Sequence, residues 1–90
     1  LEYAWGDVYS RPGLDLKMRE IATIAALVAK GGLEPQLKSH IGYALKAGCS
    51  REEVVEVMVH MTVFAGFPNA IAGALAARAV FADIDAAGPP

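Results

Sequence analysis

The 90-residue sequence predicts an all-α fold of four main helices on short connections, and three observations predict it. Apolar residues recur at helical spacing through the long segments, as Ile21, Ile24, Leu27 and Val28 do in the first. Start and stop signals bracket those segments: Asp15, Glu34-Pro35 and Ser50 open them, while Gly31-Gly32 and Gly48 close them. The stretches left between are only a few residues long, the usual spacing in helical bundles.

Residues 1–9 read as irregular chain or a short helix, ended by a turn on Pro12-Gly13. Asp15 then suits an N-cap, and "LKMREIATIAALVAK" continues as a helix to Lys30, whose charge favours the negative end of the helix dipole. A second helix opens near Glu34-Pro35, proline being tolerated in a first turn, and runs to Ala47 with Leu37, Ile41, Ala44 and Leu45 inward. Ser50 and Glu53 form a capping box for a third helix over 51–65. That helix is apolar almost all round, so burial on several sides is expected. "GFP" at 66–68 breaks it. "NAIAGALAARAVFADIDAA" forms the fourth, whose alanines and glycine permit a neighbouring helix to come close, and "GPP" is a fraying tail. No repeat or linker divides the chain, so residues 1–90 are read as a single domain, and the start at Leu1 rather than methionine leaves room for residues ahead of it.

Composition narrows the function classes. Hydrophobic residues make up 54% and charged ones 20% of the chain, against about 45–50% and about 25% in an average globular domain. A domain this small cannot hide so much apolar surface within itself, so part of it is expected in contacts between copies, a homo-oligomer. The net charge of −2, with its basic residues scattered, gives no nucleic-acid footprint. The most apolar run, "IATIAALVA" at 21–29, is half the length of a membrane span, and no membrane or signal segment is expected. A single cysteine forms no internal disulfide and suits the cytoplasm.

Few residues are equipped for chemistry. His40 shares a helix face with Leu37, Ile41 and Ala44, so its imidazole points to the core or to a pocket. It is either a buried ring bonded to a backbone carbonyl or a proton carrier. Glu20 borders the apolar stripe of the first helix. If the first two helices fold back at Gly31-Gly32, Glu20 lies about 11 residues before that hinge and His40 about 8 after it. At about 1.5 Å per residue, the two then stand within roughly one turn of each other. A carboxylate there would orient the imidazole and hold its tautomer, while the competing arrangement pairs Glu20 with Lys17 or solvent. Cys49 sits in a loop next to a helix start, a position that can lower a thiol pKa, but it has no second cysteine to work with. His60, with Glu53 and Glu56 on adjoining turns, lacks the spacing of a metal-ligand motif, so no metal is expected. Arg11, beside the Pro12-Gly13 turn, suits either a substrate carboxylate or a surface ion pair.

The segments "SRPGLD" (10–15), "RE" before the alanine-rich helix, "H…ALKAGCSREEVVEV" (40–57) and "FAGFPNA" (64–70) together resemble the carboxymuconolactone decarboxylase family, in order and over nearly the whole chain. The resemblance implies a helical bundle of the alkylhydroperoxidase D-like type, assembled into trimers or hexamers. Relatives of that fold with peroxidase activity carry a C-x-x-C pair ahead of the histidine, and those positions fall here on Leu33 and Gln36. The family histidine falls on His40 and its glutamate most nearly on Glu20, with one residue of slack at Gly31-Gly32.

The decarboxylase branch lacks the cysteine pair. Its reference reaction, in aromatic-acid catabolism by the β-ketoadipate route, removes CO₂ from 4-carboxymuconolactone without a cofactor. The resemblance therefore implies a small carboxylate or lactone substrate, with His40 as proton donor, Glu20 as its partner and Arg11 as a carboxylate anchor. The chain departs from the family at Phe64, where tyrosine is frequent, and so loses one hydroxyl. Two alternatives are an alkylhydroperoxidase D-like antioxidant oxidoreductase using Cys49 or an intermolecular thiol, and a non-enzymatic oligomer that binds small molecules.

Overall fold

The computed structural model describes residues 3–89. Leu1 and Glu2, of the expected irregular opening, and Pro90, of the fraying tail, lie outside them. The described chain is helical and contains no strand: a short π-helical segment, Tyr3–Val8, precedes α1 (Leu16–Lys30), α2 (Glu34–Lys46), α3 (Arg51–Phe64) and α4 (Phe67–Ala87).

Local chemistry sets the helix ends. The Asp15 side chain accepts from the Met18 amide at 2.8 Å and starts α1. Gly31 and Gly32 end it at φ 72° and 71°, a left-handed conformation that a side chain would resist. At α3 the full capping box forms: Ser50 Oγ accepts from the Glu53 amide at 3.0 Å, and the Ser50 amide donates to Glu53 Oε1 at 2.8 Å. The break before α4 is narrower than the sequence suggests. Gly66, at φ 84°, makes the whole stop, and Phe67 and Pro68 already belong to the first turn of α4, where a proline lacks nothing the helix needs.

The helices α1 and α4 pack on each other and on both remaining helices, whereas α2 and α3 flank them on opposite sides. Ile24 and Val28 of α1, Leu37, Ile41 and Ala44 of α2, Val54, Met58 and Met61 of α3, and Ala70, Ala76 and Ala77 of α4 build the core. Gly73 marks the closest approach, since a Cβ there would lie 2.6 Å from Met58 Sδ and 3.0 Å from Val28 Cγ2. Small residues in α4 therefore let α1 and α3 close over it, as its composition predicts.

The third helix corrects its own expectation. It is buried along one face only, by Val54, Met58 and Met61, while Val55, Val59, Val63 and Phe64 are exposed. The molecule measures 36 × 32 × 21 Å, and its thinnest dimension holds about two helix diameters. Within one chain of that thickness, each helix keeps a face turned outward. Phe67, Ile71 and Leu75, spaced four apart on α4, add a second exposed apolar row. No helix of the described residues is long and apolar enough to cross a membrane.

Candidate active site

Glu20 and His40 meet. The hairpin at Gly31-Gly32 brings α2 back along α1, and His40 Nδ1 lies 2.8 Å from Glu20 Oε1. Glu20 is 1% exposed, deeper than its place at the edge of the α1 stripe implied, and it shares the interior with Ile24 and Ile41. A carboxylate buried to that depth requires a partner, and the imidazole supplies one. An ionised carboxylate only accepts hydrogen bonds, so it fixes Nδ1 as the hydrogen-bearing nitrogen of a neutral ring.

The His40 side chain retains 18% exposure, so one side of the ring is gripped from the core and another reaches the surface. The Tyr43 ring stands against it, centroids 5.3 Å apart and planes at 84°. An imidazole held by a buried carboxylate and partly exposed is an arrangement suited to acid–base work.

Lys17, the alternative partner for Glu20, is engaged elsewhere: its Nζ lies 3.0 Å from Glu53 Oε2. That contact raises the Lys17 ammonium pKa and, after the hydrogen bond from the Ser50 amide, helps hold the Glu53 carboxyl below the usual carboxylate range. The Ser50–Glu53 box thus caps α3 and also draws the lysine away from the buried acid.

Cys49 lies in the loop ahead of α3, as expected, and it is buried there. Burial first, and then the negative charge of Glu53, push its pKa up, opposite to the lowering that a helix start alone would give. His60 is exposed, its ring 4.8 Å from that of Phe64, and it lines an open groove of about 450 Å³ with Ile21, Ala25, Glu56 and Val57. No group of three or more histidine, cysteine or acidic side chains among the described residues is arranged to hold a metal.

Arg11 sits exposed in the turn ahead of α1, where its carbonyl accepts from Arg19 Nη2 at 3.0 Å. The sequence reading used Arg19 only as part of the "RE" pair and gave it and Thr23 no structural role. Thr23 Oγ1 donates to the Arg19 carbonyl at 2.8 Å, so its other contact, 2.6 Å from the Tyr9 hydroxyl, must be accepted from Tyr9. Two clasps on one flank of α1 therefore fasten the chain's opening segment next to Glu20. The only early sign of them was the pairing of Arg19 with Glu20 in the sequence. Tyr43 was likewise legible only as the residue three places after His40.

A family model described as the carboxymuconolactone decarboxylase family matches residues 1–79. The chain is 38% identical over 82 residues to 4-carboxymuconolactone decarboxylase of Acinetobacter baylyi, an alignment covering 91% of this chain and 60% of that protein. It is 37% identical to an uncharacterized 15.0 kDa protein of Paracoccus denitrificans, over 94% of this chain and 64% of the relative. A third relative, nitrosuccinic acid decarboxylase of Metarhizium robertsii, is 38% identical over 78% of this chain and 48% of its own length. The chain thus spans about half to two thirds of the length of the curated relatives it matches.

Proposed function

From a chain that belongs to the carboxymuconolactone decarboxylase family, we propose a cofactor-free carboxy-lyase acting on a small carboxylated lactone such as 4-carboxymuconolactone. The observation that carries this reading is the 2.8 Å contact between His40 Nδ1 and the buried Glu20 carboxylate.

The chemistry needs little else. When the C–CO₂⁻ bond breaks, its electron pair passes into the unsaturated lactone and comes to rest on the carbonyl oxygen as a dienolate. A proton then returns to carbon and gives the enol-lactone. With Nδ1 committed to Glu20, His40 exchanges that proton through Nε2. Glu20 holds the ring in place and stabilises the imidazolium whenever it forms. Arg11 is the proposed anchor for the carboxylate, its guanidinium offering paired donors. Relatives named for decarboxylating a lactone acid and a nitro acid support the reaction class and leave the substrate as the part to test.

The reading extends to a cytoplasmic homo-oligomer, a trimer or hexamer of single-domain protomers. The exposed rows Val55, Val59, Val63 on α3 and Phe67, Ile71, Leu75 on α4 favour such an assembly, being more apolar surface than an isolated small domain keeps in water. A thiol peroxidase is the competing function, and the buried Cys49 with its raised pKa argues against it.

The test follows ultraviolet loss of 4-carboxymuconolactone by the purified protein. Wild type and Cys49→Ser are expected to consume it equally, whereas His40→Ala lowers kcat by about 100-fold or more. Full turnover by His40→Ala would end the reading.

A further inference from the structure

We propose that the cavity at the α1–α2 joint is a second binding site, suited to a small neutral molecule that combines an aromatic ring with one hydrogen-bond donor, phenol being the simplest example.

The cavity measures about 210 Å³ and lies where the end of α1, the start of α2 and the first turns of α4 converge. Val28, Leu37 and Gly73 are buried at its base, Leu27 and Leu33 are half-buried along its sides, and Ala72 is exposed at its mouth. It is more enclosed than the groove beside His60. An apolar cavity of about 150 Å³ is enough to accept benzene, so a singly substituted ring fits the space here. Packing that ring against the aliphatic side chains takes its apolar surface out of water, which drives entry.

Asn69 supplies the polar end. Its Nδ2 donates to the Ala29 carbonyl at 3.3 Å, and a carbonyl accepts only from the nitrogen, so this bond fixes which way the amide points. Oδ1 is left as an acceptor with no donor among the described residues. It lies against Gly31, 2.9 Å from where a Cβ would stand, and both residues line the cavity. A hydroxyl carried by the ring completes that acceptor.

Charge separates this site from the one at His40. Glu34 is the charged side chain at the cavity, and no lysine or arginine among the described residues lines it. Lys38 reaches Glu34 at 3.6 Å but stands outside the lining. A carboxylate entering here would give up its water and meet no cation in return, so the site favours a neutral guest. An occupant touches α1, α2 and α4 together at the hinge of the hairpin.

The experiment follows the ¹H–¹⁵N amide signals of Gly31, Gly32 and Ala72 during titration with phenol, toluene and benzoate. Phenol and toluene are nearly equal in size, so their difference reads the hydrogen bond. Wild type is expected to bind phenol about 2–10-fold more tightly than toluene, and benzoate at least tenfold more weakly than phenol. Asn69→Leu should bring phenol down to the toluene value and leave toluene unchanged. Ala72→Phe, which places a ring in the mouth from an exposed position, should weaken both about tenfold or more while turnover of 4-carboxymuconolactone stays at the wild-type value. Wild-type spectra unmoved by phenol and toluene overturn the inference without any variant. So does a preference for phenol that survives Asn69→Leu, or benzoate binding as tightly as phenol. Turnover lost in Ala72→Phe would make the cavity part of the reaction site and end the case for a second one, whereas the role of His40 stands or falls by its own assay.

Discussion

The α1–α2 hairpin and the α3–α4 pair deal with difficult side chains in opposite ways. Between α1 and α2 a carboxylate is sunk to 1% exposure and answered by an imidazole from within the same chain. Across α3 and α4 the inner seam is closed by alanine, glycine and methionine, and large apolar side chains stand in the open, Val63 at 78% exposure. The hairpin completes its own interactions and resembles a working site. The other pair leaves its interactions unfinished and resembles a surface awaiting contact.

The comparison is broken most sharply at His40. Replacing it with alanine strands the Glu20 carboxylate, and loss of one partner of a buried pair costs about 3–5 kcal/mol. A large fall in the denaturation midpoint should therefore accompany the loss of turnover, and Glu20→Gln, which retains a polar group in the same place, should lose activity with a milder fall. On the other side of the molecule, Gly73→Ala puts a methyl group against Met58 Sδ and Val28 Cγ2 in the closed seam, and overpacking of this kind costs about 1–3 kcal/mol. Chemical denaturation measures both changes, and a neutral Gly73→Ala would mean the seam is looser than its distances.

Val59→Glu with Ile71→Glu sharpens the contrast differently. Each exposed site alone should change the stability of a protomer by no more than about 0.5 kcal/mol. Sedimentation is nevertheless expected to change from an assembly to a single protomer. An unchanged mass would remove the case for self-association through that face. The smallest effect is expected at Arg51–Asp85, a bidentate pair of 2.6 and 3.1 Å that joins the start of α3 to the end of α4 in solvent. Arg51 holds the Asp85 carboxyl below its ordinary range, as the Ser50 amide and then Lys17 do for Glu53. Both carboxylates therefore add stability above their unfolded pKa values, and that stability is lost as the pH falls through the depressed folded values. In an acid titration of the melting midpoint, Asp85→Asn should flatten the slope slightly and leave the neutral value nearly unchanged.

How much of this was legible depended on whether the signal was local. Asp15, Gly31-Gly32 and the Ser50–Glu53 box act within a single turn, and each helix end they mark is found where the sequence indicates. Gly66-Phe67-Pro68 was ambiguous because proline both breaks helices and starts them, and only the backbone distinguishes the two. The meeting of Glu20 and His40 follows from counting residues about a hinge. The depth of Glu20 does not, since a carboxylate at the margin of an apolar stripe can equally face water. The open valines of α3 were hidden for a related reason. Hydrophobicity on all sides says that a helix is to be covered but not which molecule covers it.

The paired glycines at 31 and 32 have a reach beyond their own turn. The amide of Asn69, at the start of α4, bonds to the Ala29 carbonyl at 3.3 Å, and its Oδ1 fills the space that a side chain on Gly31 would occupy. The joint is thus braced from a third helix. One extra residue inserted there would change the register at which α2 returns along α1. The imidazole would turn away from its acid with neither residue altered. The 2.8 Å contact between His40 and Glu20 is therefore governed by a bend roughly 12–16 Å distant, counted along the two helices, and a change in loop length should abolish the proposed proton transfer as surely as substitution of the histidine.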